Sequence, residues 1–175
     1  MELKFEELPY QLNAVNAVAN LFAGQPNHAR TFDLTSQGTG RFVGNGLDLD
    51  GETLGRNLNA VQKQNGQPET EIGAHGLNFS LEMETGTGKT YVYLRTVYEL
   101  NKLYGWKKFV IVVPSVPIRE GVLKSLEIMK AHFDGVFDRP VMRYSEYSSG
   151  RLSVGLARFC GKRPHRDFSY QHPVV

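Results

Sequence analysis

The chain has 175 residues, 41% of them hydrophobic and 22% charged, which is enough apolar material for about one buried core and excludes a disordered chain. Its net charge of +2 is uneven: residues 151–175 carry Arg151, Arg158, Lys162, Arg163 and Arg166 against Asp167 alone, so composition makes no case for nucleic-acid binding. One cysteine, Cys160, excludes an internal disulfide, no segment approaches the roughly 18 apolar residues of a membrane span, and "MELKFEELPY" lacks a signal-peptide profile, so a cytoplasmic protein is expected.

In chain order, Leu8, Leu12, Val15, Val18 and Phe22 share one helical face and predict a first helix over 8–22, stopped by Gly24 and Pro26. Residues 24–76 hold ten of the 18 glycines and read as a loop-rich insertion. Within it, "RFVGNGLDLD" suggests a hairpin turning at Asn45-Gly46, and "ETLGRNLNAVQKQ" a short helix with Leu54, Leu58 and Val61 on one side. Leu77, Phe79, Leu81 and Met83 alternate with polar residues, as in a strand.

A glycine loop follows, then a helix from about Lys89 to Tyr104 ended by Gly105. "KFVIVVP" reads as a strand buried on both faces, and Ser115 as the cap of a further helix carrying Ile118, Val122, Leu126, Met129 and Phe133. This order of strand, loop, helix, strand and helix predicts an α/β fold with a parallel sheet.

The loop "METGTGKT" has the residue types of a phosphate-binding loop. Gly86 and Gly88 free the backbone for close approach, Lys89 supplies a point charge for the outer phosphates, and Thr90 offers a hydroxyl to Mg²⁺. Met83 stands where the strict pattern has its first glycine, but that position lies at the strand end and needs only extended backbone. Two look-alikes are set aside. "TSQGTGRF" (Thr35 to Phe42) lacks the Lys-Ser/Thr pair, and "HRD" (165–167) lacks the Asn expected five residues later.

The segment from Phe79 to Phe133, with "LPYQLNAVNAVANLF" and "VGNGLDLDGETLGRNLNAVQKQNG", resembles the Res subunit of type III restriction-modification enzymes, superfamily-two helicase-like motors. The resemblance implies a RecA-like motor domain, incomplete here, that uses ATP and Mg²⁺ to act on double-stranded DNA beside a Mod methyltransferase subunit. Carried over by position, it implies that Gln11 reads adenine, and that Thr85, Gly86, Thr87, Gly88, Lys89 and Thr90 hold the nucleotide. Lys89 and Thr90 then act on its phosphates and metal. Pro114, Ser115 and Arg119 would lie along the DNA backbone. The likeness covers 1–154 and stops abruptly; the basic tail 155–175 reads as a candidate frameshift. No Asp-Glu pair occurs in the chain, so the second carboxylate site that phosphoryl transfer requires is not evident. A non-catalytic nucleotide-binding remnant and a small self-contained kinase are the competing readings.

Overall fold

The computed structural model describes residues 5–27, 45–73, 76–149 and 152–160. The look-alike motifs at 35–42 and 165–167 lie outside these residues, as does the first half of the expected hairpin. The described elements are α1 (Pro9–Asn20), α2 (Gly51–Gln64), α3 (Lys89–Tyr104), β1 (Lys108–Val113), α4 (Val116–Val136), β2 (Val141–Ser149) and β3 (Leu152–Cys160). They make an α/β fold centred on α3.

Helix α3 begins and ends where its sequence changes backbone type. Gly88 before it and Gly105 after it both adopt left-handed conformations, φ 85° and 70°, which glycine takes without a Cβ clash. Between them, Tyr91, Leu94 and Tyr98 form the core with Leu126 and Phe133 of α4, and Phe133 is fully buried. Tyr98 lies 4.7 Å from Phe133 and 5.3 Å from Phe137, ring centre to ring centre. Burial, reinforced by Asp134, pushes the Tyr98 phenol up to about 12. Helix α1 packs on α3 through Val15 and Ala19, and the Tyr104 hydroxyl donates to the Ala19 carbonyl at 2.8 Å.

The sheet corrects the parallel expectation. Its order is β1-β3-β2, and both pairings are antiparallel, Lys108 opposite Arg158 and Val141 opposite Cys160. Two antiparallel steps leave β1 and β2 running in the same direction, with α4 crossing between them. The strand–helix–strand order therefore does yield parallel directions, but the hairpin partner β3 takes the place between them. Strand β3 also runs through the boundary placed at 154/155. A ladder is made by backbone groups, so a change in side-chain pattern does not stop it.

Three further expectations change. Residues 77–83 belong to no strand, because alternation specifies which way side chains face and not which strand pairs with them. Leu77 and Leu81 remain exposed, while Phe79 meets Phe22 edge-on at 6.4 Å. Strand β1 is not buried on both faces: Phe109 and Ile111 pack on the core, whereas Val110 and Val112 are 58% and 60% exposed. Ser115 occupies the N-cap of α4 but its side chain caps nothing. The second helical residue is Pro117, which has no N–H to offer.

The insertion is anchored by side-chain amides. No strand forms over 45–50; instead Asn45 Oδ1 accepts from the backbone N–H of Lys107 and Lys108, and its Nδ2 donates to the Lys108 carbonyl at 2.6 Å. Asn57 of α2 donates to the carbonyls of Leu21 and Ala23. The expected helix in this region is present, with Asp50 accepting from Thr53 N at 2.7 Å as its N-cap and Leu54 buried.

Candidate functional site

Residues 84–90 turn the chain from the irregular segment before them into α3. The turn depends on two left-handed glycines, Gly86 at φ 82° and Gly88 at φ 85°, separated by Thr87, whose hydroxyl donates to the Glu84 carbonyl at 2.7 Å. No side chain caps the N-terminus of α3. Its first N–H groups therefore point out of the helix without intrahelical partners, and the helix dipole adds partial positive charge there. Lys89 is the first residue of α3 and exposed; Thr90 follows, half-buried; Thr85 is exposed.

The start of α1 closes on this loop. The Thr87 carbonyl accepts from Gln11 Nε2 at 2.9 Å and from the Tyr10 hydroxyl at 3.2 Å. Gln11 is 7% exposed. A Cβ added at Gly88 would lie 2.5 Å from Gln11 Nε2, so any side chain there would displace the Gln11 amide as well as strain the backbone. Gln11 is thus brought to the loop from 76 positions away, with its amide nitrogen engaged by the loop backbone.

Pro114 and Ser115 lie in the turn from β1 to α4, and Arg119 in the first turns of α4. Arg119 Nη2 is 2.7 Å from Glu120 Oε1, a contact between sequence neighbours. A cavity of about 740 Å³ lies between α3, β1 and the start of α4, lined by Thr90, Tyr93, Val112, Val113 and Ile118 among others. It brings the loop's Thr90 into one groove with Val113, at the end of β1, and Ile118 of α4. Burial pushes the Tyr93 phenol above its ordinary value.

Sequence reasoning missed a polar cluster behind the loop. Arg95 Nη1 donates to Glu7 Oε1 at 2.7 Å and to the Tyr91 hydroxyl at 2.6 Å, and that hydroxyl lies 3.0 Å from His132 Nε2. Burial opposes the Arg95 charge, yet Glu7 and Tyr91 hold it above the ordinary arginine value. Burial, helped by the Arg95 charge and opposed by Glu7, lowers the pKa of His132. The one signal for the cluster in the sequence was Tyr91 and Arg95 standing four apart on a helix.

The donor set fits a polyphosphate: two glycines that open the loop, an uncapped helix N-terminus, an exposed Lys and a hydroxyl at the second helical position. Among the described residues, no group of three His, Cys, Asp or Glu side chains could hold a metal by itself. The Thr90 hydroxyl would be a ligand for a Mg²⁺ bound with a polyphosphate. No helix among the described residues is long and apolar enough to cross a membrane.

The family model described as "Type III restriction enzyme, res subunit" matches residues 4–151. The EcoPI Res subunit of Escherichia phage P1 is 32% identical over 143 residues, and the EcoP15I Res subunit of Escherichia coli 33% identical over 144. Each alignment takes in 79% of this chain but 14% of the relative. The StyLTI Res subunit of Salmonella typhimurium is 40% identical over 83 residues, 46% of this chain and 8% of the relative. No solved structure matches.

Proposed function

Because the chain belongs to the family of type III restriction enzyme Res subunits, we propose that it forms the ATP-binding portion of a subunit that uses ATP to act on DNA. The observation that carries this reading is the pair of left-handed glycines leading into the uncapped N-terminus of α3. In this reading Gly86, Thr87 and Gly88 present backbone N–H groups to the phosphates, with Thr85 at the loop's entrance. Lys89 neutralises the outer phosphates, and Thr90 contributes its hydroxyl to Mg²⁺. Gln11 Nε2 is engaged on Thr87 O, so its Oε1 is the atom that accepts from the adenine amino group. The body of this unit spans 1–154, built on a RecA-like plan, and 155–175 is a segment of different character.

The partners proposed for the whole subunit are double-stranded DNA and a Mod methyltransferase subunit. Pro114, Ser115 and Arg119 are the residues of the β1–α4 turn and of the start of α4 proposed to meet the DNA backbone; the groove that reaches Thr90 is lined on either side of them in sequence by Val113 and Ile118. Any phosphate arriving there competes with Glu120 for the Arg119 guanidinium.

Titrating the 175-residue chain with Mg-ATP by calorimetry tests the reading. Binding that falls at least tenfold in Lys89→Ala is the expected outcome, since that change removes the only cation on the loop. Equal affinity in the two proteins, or none in either, would refute it. A second reading is binding without turnover. DNA-stimulated release of phosphate by the same preparation would exclude that alternative.

A further inference from the structure

The loop is held by the first turn of α1, and that turn is itself held from behind. Glu7 directly precedes Leu8, the N-cap of α1, while Tyr10 and Gln11 on the first turn carry both donors to Thr87 O. Within the helix, Pro9 starts this turn and the Leu8 carbonyl accepts from Gln11 N and Leu12 N, but Leu8 makes no side-chain cap and no acidic residue lies in the first turn. What lies behind it is Arg95, 8% exposed, with Glu7 and Tyr91 both on Nη1 and with Nε unpartnered. Phe5 packs beside the same cluster, 5.1 Å from the His132 ring and 6.3 Å from that of Tyr91. A line of hydrogen bonds therefore runs from His132 on α4, through Tyr91 and Arg95 on α3, to Glu7; from Glu7 the backbone itself leads into the first turn of α1 and to Gln11, which donates to Thr87 O.

A buried guanidinium is costly to leave without a carboxylate, so Arg95 strongly favours the arrangement that keeps Glu7 in place. The Glu7 side chain is 43% exposed, and one of its contacts fixes where the chain enters α1. We propose that Arg95 is a positioning residue for the phosphate loop, acting through Glu7 on the first turn of α1 and so keeping Gln11 and Tyr10 on Thr87 O. For its functional consequence this rests on the nucleotide reading above; its structural half is measured without nucleotide.

The test uses backbone ¹⁵N order parameters of residues 86–88 in the 175-residue chain. The wild type should be rigid at about 0.85, and Glu7→Gln or Gln11→Ala should each bring these residues below about 0.6. The double variant should be no looser than Gln11→Ala alone, because both changes break one line of contacts. A general packing defect would instead add to the loss. The paired change Glu7→Leu with Arg95→Leu leaves no uncompensated charge, so it should keep the fold while loosening the loop equally. A loop that stays rigid in Glu7→Gln and in the paired variant, or additive loosening in the double, would overturn the proposal. In parallel, Glu7→Gln should bind Mg-ATP about three- to tenfold more weakly than wild type. If the order parameters fall as expected but the wild type binds no Mg-ATP, the positioning role stands and the nucleotide reading falls.

Discussion

Replacing Gly88 with alanine separates two demands that the loop places on one residue. The first is conformational: at φ 85° a side chain costs about 1–2 kcal/mol, since the left-handed region crowds Cβ against the next carbonyl. The second is steric, because the new Cβ would stand 2.5 Å from Gln11 Nε2. Gln11 must then leave Thr87 O, losing a hydrogen bond worth about 0.5–1.5 kcal/mol and leaving a buried amide poorly served. The total is about 2–4 kcal/mol. Gly86 is the internal control: it has a similar φ of 82° but open space around its Cβ position, so Gly86→Ala should cost only about 1–2 kcal/mol. Urea unfolding followed by the fluorescence of Trp106, the single tryptophan, measures both. In a Gln11→Ala background the Gly88 penalty should fall to the level seen at Gly86. Equal costs at the two glycines, or no relief from removing Gln11, would refute the claim that Gln11 closes on the loop.

Two other outcomes follow from the same contacts. The lowered pKa of His132 means that the unfolded chain takes up this proton more readily, its ordinary value being 6.5. Stability from this group is complete above about pH 6.5 and is lost as pH falls from there through the lowered folded value. Thermal melts across that window should show the loss, and His132→Gln should flatten it. Ser115→Ala should change stability by less than about 0.5 kcal/mol, against about 1 kcal/mol for a working cap, because the Ser115 side chain makes no cap bond. Urea unfolding checks this, and a full cap-sized loss would contradict the observed geometry.

What could be read from the sequence was local. Gly88 and Gly105 bracket α3 because their backbone requirement is written in the residue itself, and α2 is announced by the shared face of Leu54, Leu58 and Val61. Pairing was not readable. The alternation over 77–83 is real, yet it names no neighbour, and β3 enters between β1 and β2 from a stretch whose side chains give no clear period. At the site, the loop glycines were readable and the fastening of Gln11 to Thr87 was not. The Glu7–Arg95 pair spans 88 positions between two common residue types, so nothing in the linear order marks it. Asn45 was legible only as a turn residue and Asn57 only as part of a short helix, although their amides satisfy backbone groups far along the chain.

Asn45 has a chemical consequence of its own. An asparagine followed by glycine is the pair most prone to cyclise to a succinimide, which then opens to aspartate or isoaspartate. Here the amide is held between Lys107 and Lys108, and its nitrogen faces the Lys108 carbonyl at 2.6 Å. That grip slows the ring closure for as long as the protein stays folded. Each excursion to the open chain exposes the amide, and the carboxylate that replaces it has no proton for Lys108 and repels its carbonyl. At Asn45, each conversion thus weakens the hold that had delayed it.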